Sequence, residues 1–158
     1  MRRLSVVLGS LAVLLAVGAS PAWADPPAQV SSRITDPAVA LQGKEAAVMT
    51  AINNLQRDTG ISEYVVFVSG FDGMNGEEWA RQTAEQSGLG ANDVLLAVAV
   101  DERHFGVHPG SAVDRSKLNT VVADDVTPKL SSKNWSGAAV ALADGLRGES
   151  SSSAALAR

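Results

Sequence analysis

The sequence predicts an α/β protein, a three-layer α/β/α sandwich with a small central sheet. Two observations predict it. Tyr64–Val68 and Val94–Val100 are unbroken apolar, β-branched or aromatic runs, the pattern of strands buried on both faces. Around them lie stretches with apolar residues at helical spacing. Buried strands alternating with helices call for a sheet covered on both sides.

The elements follow in order. Residues 1–24 read as a secretory signal peptide: Arg2 and Arg3 form a basic start, an apolar run follows, and Ala22-Trp23-Ala24 is an A-x-A cleavage pattern. Residues 25–33, with Pro26 and Pro27, read as a linker, and Arg33 to Thr35 as a short extended piece. Residues 34–147 form the domain. Its first helix runs over 44–57 on Val48, Met49, Ile52 and Leu55, and Gly60 stops it. The strand at Tyr64–Val68 leads into a glycine-rich loop, 69–76. Asn75 caps a second helix carrying Trp79, Ala80, Thr83 and Ala84. After the Val94–Val100 strand, a tight turn leads to a third strand near 103–108. Asp114 caps a helix bearing Leu118, Val121, Val122 and Val126, which Pro128 is expected to break or kink. Asn134 caps the last helix, with Trp135, Ala139, Leu142 and Leu146 on one face. Residues 148–158 are a serine-rich tail with no periodicity.

Composition removes several function classes. The 158 residues include no cysteine, which excludes thiol catalysis and thiolate metal sites. Seventeen acidic residues face 13 basic ones, and aromatics make up 4%. Loss of Arg2 and Arg3 with the leader leaves the remainder more acidic still. Such a chain has no electrostatic footprint for nucleic acid. There is no G-x-S-x-G, P-loop or H-E-x-x-H motif. The stretch "DGMNGEE" from Asp72 lacks the alternating acidic ligands of a calcium loop. His104 and His108 would share one strand face, but no third metal ligand stands out.

The remaining candidates are carboxylates. Asp36 precedes the first helix, Asp93 enters the second strand, Asp101 and Glu102 leave it, and Asp114 opens the third helix. In open α/β sheets, ligands gather beyond the carboxyl ends of the strands, where Asp101 stands. The strand separates Asp93 from Asp101 by roughly 20 Å or more, so those two cannot share a metal. Asp36 and Asp114 lie on loops that can reach the Asp101 end. Taken singly, each Asp also reads as a cap or turn residue.

Together these stretches resemble the TPM domain family, which includes thylakoid-lumen acid-phosphatase-like proteins and many bacterial envelope proteins. The resemblance runs from Ile34 to about Gly148 through "ITDPAVALQGKEAAVMTAINNLQRDTG", "YVVFVSGFDGMNGEEWARQTAEQSGLG", "NDVLLAVAVDERHFGV" and "VVADDVTPKLSSKNWSGAAVALADGL". Gln42 stands where the family usually has serine, and Asp93 where glycine is common. The resemblance implies an α/β/α sandwich and two functional readings. The first is a non-catalytic binding or assembly module of the cell envelope, partnered by membrane or envelope proteins, with a divalent cation (Ca²⁺ or Mg²⁺) in an acidic pocket. The alternative is a metal-assisted acid phosphatase acting on a small phosphate ester. By position, Asp36, Asp101 and Arg103 correspond to the family's recurrent polar residues, and Asp114 corresponds within one residue. The expected metal ligands are therefore Asp36, Asp101 and Asp114, with Arg103 binding phosphate or lining the pocket rim. Glu102 is expected to point away as a turn or surface residue. No residue stands out as nucleophile or general acid. The expected location is extracellular or in the envelope, with membrane anchoring if the natural chain runs past Arg158.

Overall fold

A computed structural model gives the structure over residues 25–148. The predicted leader, and the predicted tail beyond Gly148, lie outside the described residues.

The apolar runs form the middle of a four-stranded sheet in the order β1 (Ile34–Thr35), β2 (Ser62–Val68), β3 (Asp93–Ala99), β4 (His104–Pro109). The first three strands are parallel, and β4 runs antiparallel to β3. Parallel neighbours need crossovers. These are α1 (Glu45–Thr59) between β1 and β2, and α2 (Gly76–Gln86) between β2 and β3. Every residue of β3 after Asp93 is buried, which explains the uninterrupted apolar run.

Alternation splits the core in two. Val65, Phe67, Leu96 and Val98 meet α1, α3 (Arg115–Val121) and α5 (Trp135–Arg147) on one face. Val66, Val68, Leu95 and Ala97 meet Phe71 and the Trp79, Ala80 and Ala84 side of α2 on the other. The second layer is thus a single helix, and the chain supplements it. Val30 is buried in that cluster. Its N–H donates to Ser87 Oγ (2.9 Å), and Trp79 Nε1–H donates to the Asp25 carbonyl (2.7 Å). The stretch read as a linker is therefore part of the fold, because one helix alone leaves that face of the sheet incompletely covered.

All three predicted caps form, Asp114 on Lys117 among them. The Asn75 side chain accepts the Glu78 N–H (2.8 Å), and Asn134 accepts the Gly137 N–H (3.0 Å). Pro128 does not interrupt the third helical stretch as expected. A π turn, Val122–Val126, joins α3 to α4 (Thr127–Ser131). The Thr127 backbone N–H and hydroxyl both donate to the Val122 carbonyl. The wider turn puts Pro128 in the first turn of α4, where a missing N–H does no harm. Among the described residues no helix is long and apolar enough to cross a membrane.

Candidate functional site

Val68 is level with Ala99, so β2 and β3 end together, and β1 ends at the same side two residues earlier, with Thr35 level with Val66. Loops 36–44 and 69–75 and the turn at 100–103 gather there. Each holds a non-glycine residue at positive φ: Val39 (53°), Asp72 (55°) and Arg103 (57°). Such conformations cost energy and concentrate at functional loops. Asp36 braces the first loop. One carboxylate oxygen accepts the Ala40 N–H (2.8 Å) and the other the Leu41 N–H (2.9 Å). Bracing by Asp36 holds Val39 at the loop tip, 66% exposed.

At the end of β3, the neighbouring acids Asp101 and Glu102 both lie exposed in a turn. The Asp101 backbone N–H donates to the Ser69 carbonyl (3.2 Å). The Glu102 carboxylate reaches across to loop 69–75 and accepts the Phe71 N–H (3.0 Å). A Cβ on Gly70 would come within 2.6 Å of its Oε1, so Gly70 must lack a side chain for this contact. The extended geometry that would have turned Glu102 away stops at Ala99, and the chain then turns.

Asp114 does not join this end. Because β4 runs antiparallel, Pro109 pairs with Val94 at the opposite end of the sheet. Gly110 and Ala112 donate N–H groups to Asp93 and Ala91 there. Asp114 follows and caps α3, accepting the Lys117 N–H (3.0 Å). Asp36 and Asp101 share an end but flank β2, so their strands stand about 10 Å apart. The Asp36 carboxylate is also turned into its own loop. The expected three-carboxylate cation site therefore does not fit. Ca²⁺ takes six to eight oxygens at about 2.3–2.6 Å, and these side chains do not converge. Among the described residues no group of three His, Asp or Glu is placed to hold a metal. His104 and His108 lie on the α2 side of β4 without a third ligand.

Arg103 and His104 are exposed between two hollows. One is lined by Thr127, Leu130 and Trp135, the other by Met74, Asn75 and Gly76 at the start of α2. The larger opening, about 620 Å³, is a groove with β4 as its floor, α2 on one side and α3 on the other. Glu77, Glu78 and Arg81 line the α2 wall; Leu118 and Val122 line the α3 wall. Arg81 hydrogen-bonds both Glu78 oxygens (2.6 and 3.0 Å) and Glu85 (2.6 Å). The bonds from Arg81, and then Gln82, pull the Glu78 pKa down to about 2. His108 lines the groove, and burial lowers its pKa.

Comparison with known proteins decides the family: the TPM domain model matches residues 34–149. The chain belongs to the TPM domain family. It is 37% identical over 157 residues to the UPF0603 proteins MT2410 and Rv2345 of Mycobacterium tuberculosis, strains CDC 1551 / Oshkosh and H37Rv. The match covers 95% of this chain but 24% of those relatives, so the chain spans about a quarter of their length. Among solved structures, the N-terminal domain of cg2496 from Corynebacterium glutamicum aligns with a TM-score of 0.68 at 29% identity, covering 82% of this chain and 87% of that one. BA42 from Bizionia argentinensis aligns at 0.59 and 15% identity over 67% and 77% of the two chains, a likeness of fold.

This TPM domain also holds a polar group that the sequence reading missed. Glu63, on β2, is fully buried, and among the described residues neither carboxylate oxygen has a hydrogen-bond partner. Burial, reinforced by the Asp144 charge, raises its pKa well above the ordinary value. The signal lay in the alternation: Glu63 shares the face of Val65 and Phe67, but the apolar run begins one residue later.

Proposed function

We propose that this TPM domain is a non-catalytic binding and assembly module, exported and acting at the cell envelope. One observation carries the reading. Two of the three acidic groups expected to form a reactive pocket are instead engaged in holding the backbone, Asp36 on Ala40 and Leu41 and Asp114 on Lys117, while Asp101 stands exposed at the end of the sheet away from Asp114. Among the described residues no serine or threonine hydroxyl is hydrogen-bonded to a histidine or carboxylate, the pairing that activates a nucleophile. The open features are of the kind used for contact: an exposed valine held at a loop tip, and a long groove beside an edge strand. Export is proposed from the basic start, the apolar run and Ala22-Trp23-Ala24.

The test is turnover of a simple aryl phosphate by the exported chain between pH 4 and 8, in chelator, calcium or magnesium, beside Asp101→Ala. The module reading expects no turnover that depends on Asp101. Metal-dependent hydrolysis lost in Asp101→Ala would establish the phosphatase alternative, with Arg103 as its phosphate clamp.

A further inference from the structure

Among the described residues no strand pairs with the outer edge of β4. β1, the other edge, has only two residues; β4 has six. Its hydrogen-bonding phase follows from the bond between the Gly110 N–H and the Asp93 carbonyl (2.7 Å) and from the antiparallel register. Gly110, His108, Gly106 and His104 direct their N–H and C=O groups to β3. Phe105 and Val107 therefore direct theirs outward, as does the Pro109 carbonyl; the Phe105 carbonyl lies against Gly76 at the start of α2, which leaves the Phe105 N–H, both Val107 groups and the Pro109 carbonyl for a partner. A row of outward amides is a template for another strand. Here it lies on the floor of the groove of about 620 Å³ between α2 and α3.

The two walls differ. On the α3 side, Leu118 and Val122 continue the partly buried Phe105 and Val107 into an apolar strip, and Arg115 and Asn119 also line that wall. On the α2 side, Glu77 and Glu78 lead. The one arginine in that wall, Arg81, is already paired with Glu78 and Glu85, so the wall is acidic on balance. An extended chain places successive side chains on opposite faces. A chain seated on β4 would thus send every second residue to the apolar wall and the others to the acidic one.

We propose that β4 takes up an extended segment of a partner polypeptide as a fifth strand, and that the segment alternates apolar and basic residues. This deepens the module reading and rests on it. The recognition is strand addition, with affinity from main-chain hydrogen bonds and selectivity from alternate side chains. A second copy of this chain is a poorer occupant. Antiparallel pairing of β4 with its own copy places the two α2 helices on one side, with Glu77 and Glu78 facing the same acids. It also brings a second pair of helix walls to an edge already flanked by two.

The probe is a fluorescent peptide of roughly ten residues alternating valine or threonine with lysine, long enough to span β4. It is compared with a glutamate-for-lysine version and a version N-methylated at alternate backbone nitrogens. Binding to the full chain is followed by anisotropy and by backbone amide shifts. The lysine peptide should bind and shift the Phe105 and Val107 amides. N-methylation should weaken it by about tenfold or more. Val107→Pro should do the same without unfolding the domain, because the Val107 N–H makes no bond to β3 and proline is tolerated on such an edge. If that variant fails to fold, the N-methylated peptide carries the test. Reversing Glu77 and Glu78 to lysine should transfer preference to the glutamate peptide.

Absence of saturable binding would overturn the proposal, as would shifts confined to another surface or indifference to N-methylation. Concentration-dependent dimers in sedimentation, lost in Val107→Pro, would assign the edge to a second copy and overturn it as well. Lack of peptide binding without phosphatase turnover removes this inference alone; Asp101-dependent turnover removes the module reading beneath it.

Discussion

Glu63 shows most sharply what one residue does to this fold. A carboxyl with no partner in the core is tolerated by staying protonated. Its pKa is raised in the folded state, so folding takes up a proton at pH values above the ordinary carboxylate range. The associated stability is fully present below about pH 4.5, the ordinary value, and is lost as pH rises towards and through the folded pKa. The slope in that window approaches about 1.4 kcal/mol per pH unit. Glu78 and Asp58 act in the opposite sense. Arginine hydrogen bonds hold their pKa values down, so their contribution fades in acid. Urea melts of wild type and Glu63→Gln from pH 4.5 to 8 check the account: wild type should weaken with rising pH and the glutamine variant much less. Parallel curves would contradict it. At this scale the caps Asn75, Asp114 and Asn134 were legible, since short polar residues before apolar periods have one common use. Glu63 and Glu102 were not, because the direction of a side chain at a strand entry or a turn depends on backbone geometry that composition does not encode.

Strands and helices were more legible than their junctions. The β3 run could only be an inner strand, and Leu96 is fully buried in it. Leu96→Ala should destabilise by about 2–5 kcal/mol in a urea melt; a change under about half a unit would contradict the inner position. Gly106 carried a signal in the sequence, since glycine within a strand often marks close backbone approach. Here a Cβ at Gly106 or Gly76 would overlap the other's backbone, so α2 sits directly on β4. Gly106→Ala should cost about 1–3 kcal/mol or more through overpacking. A thermal midpoint equal to wild type would show that the helix can lift without penalty. The π turn at Val122–Val126 was not legible. Pro128 announces a disturbance of the helix, but whether the chain breaks or widens by one residue is set by how α3 and α4 pack on α5.

At the scale of the whole molecule, the two layers over the sheet are unequal. α1, α3, α4 and α5 cover one face, and α2 covers the other with help from residues 25–30. Deleting residues 25–32 should uncover Val30 contacts and Trp79, and remove the bonds that Asp25 accepts from Ser69 and Trp79. The expected loss is about 2–4 kcal/mol, read as a lower urea midpoint; an unchanged midpoint would return the segment to linker status. The antiparallel return of β4 also decides the site. It carries Asp114 to the opposite end of the sheet from Asp101, a separation no local pattern reveals, because only pairing direction fixes where a strand delivers the next residue.

The functional reading turns on Asp36 and Glu102 holding loops at the carboxyl end while exposed Asp101 holds no cation. Thermal and urea melts of wild type, Glu102→Ala and Asp101→Ala, in chelator and in millimolar calcium, test it most directly. Glu102→Ala should cost about 1 kcal/mol or more by freeing the buried Phe71 N–H. Asp101→Ala should stay within about 0.5 kcal/mol, and neither difference should depend on calcium. A large loss in Asp101→Ala that appears only with calcium, with Glu102→Ala near wild type, would contradict the account.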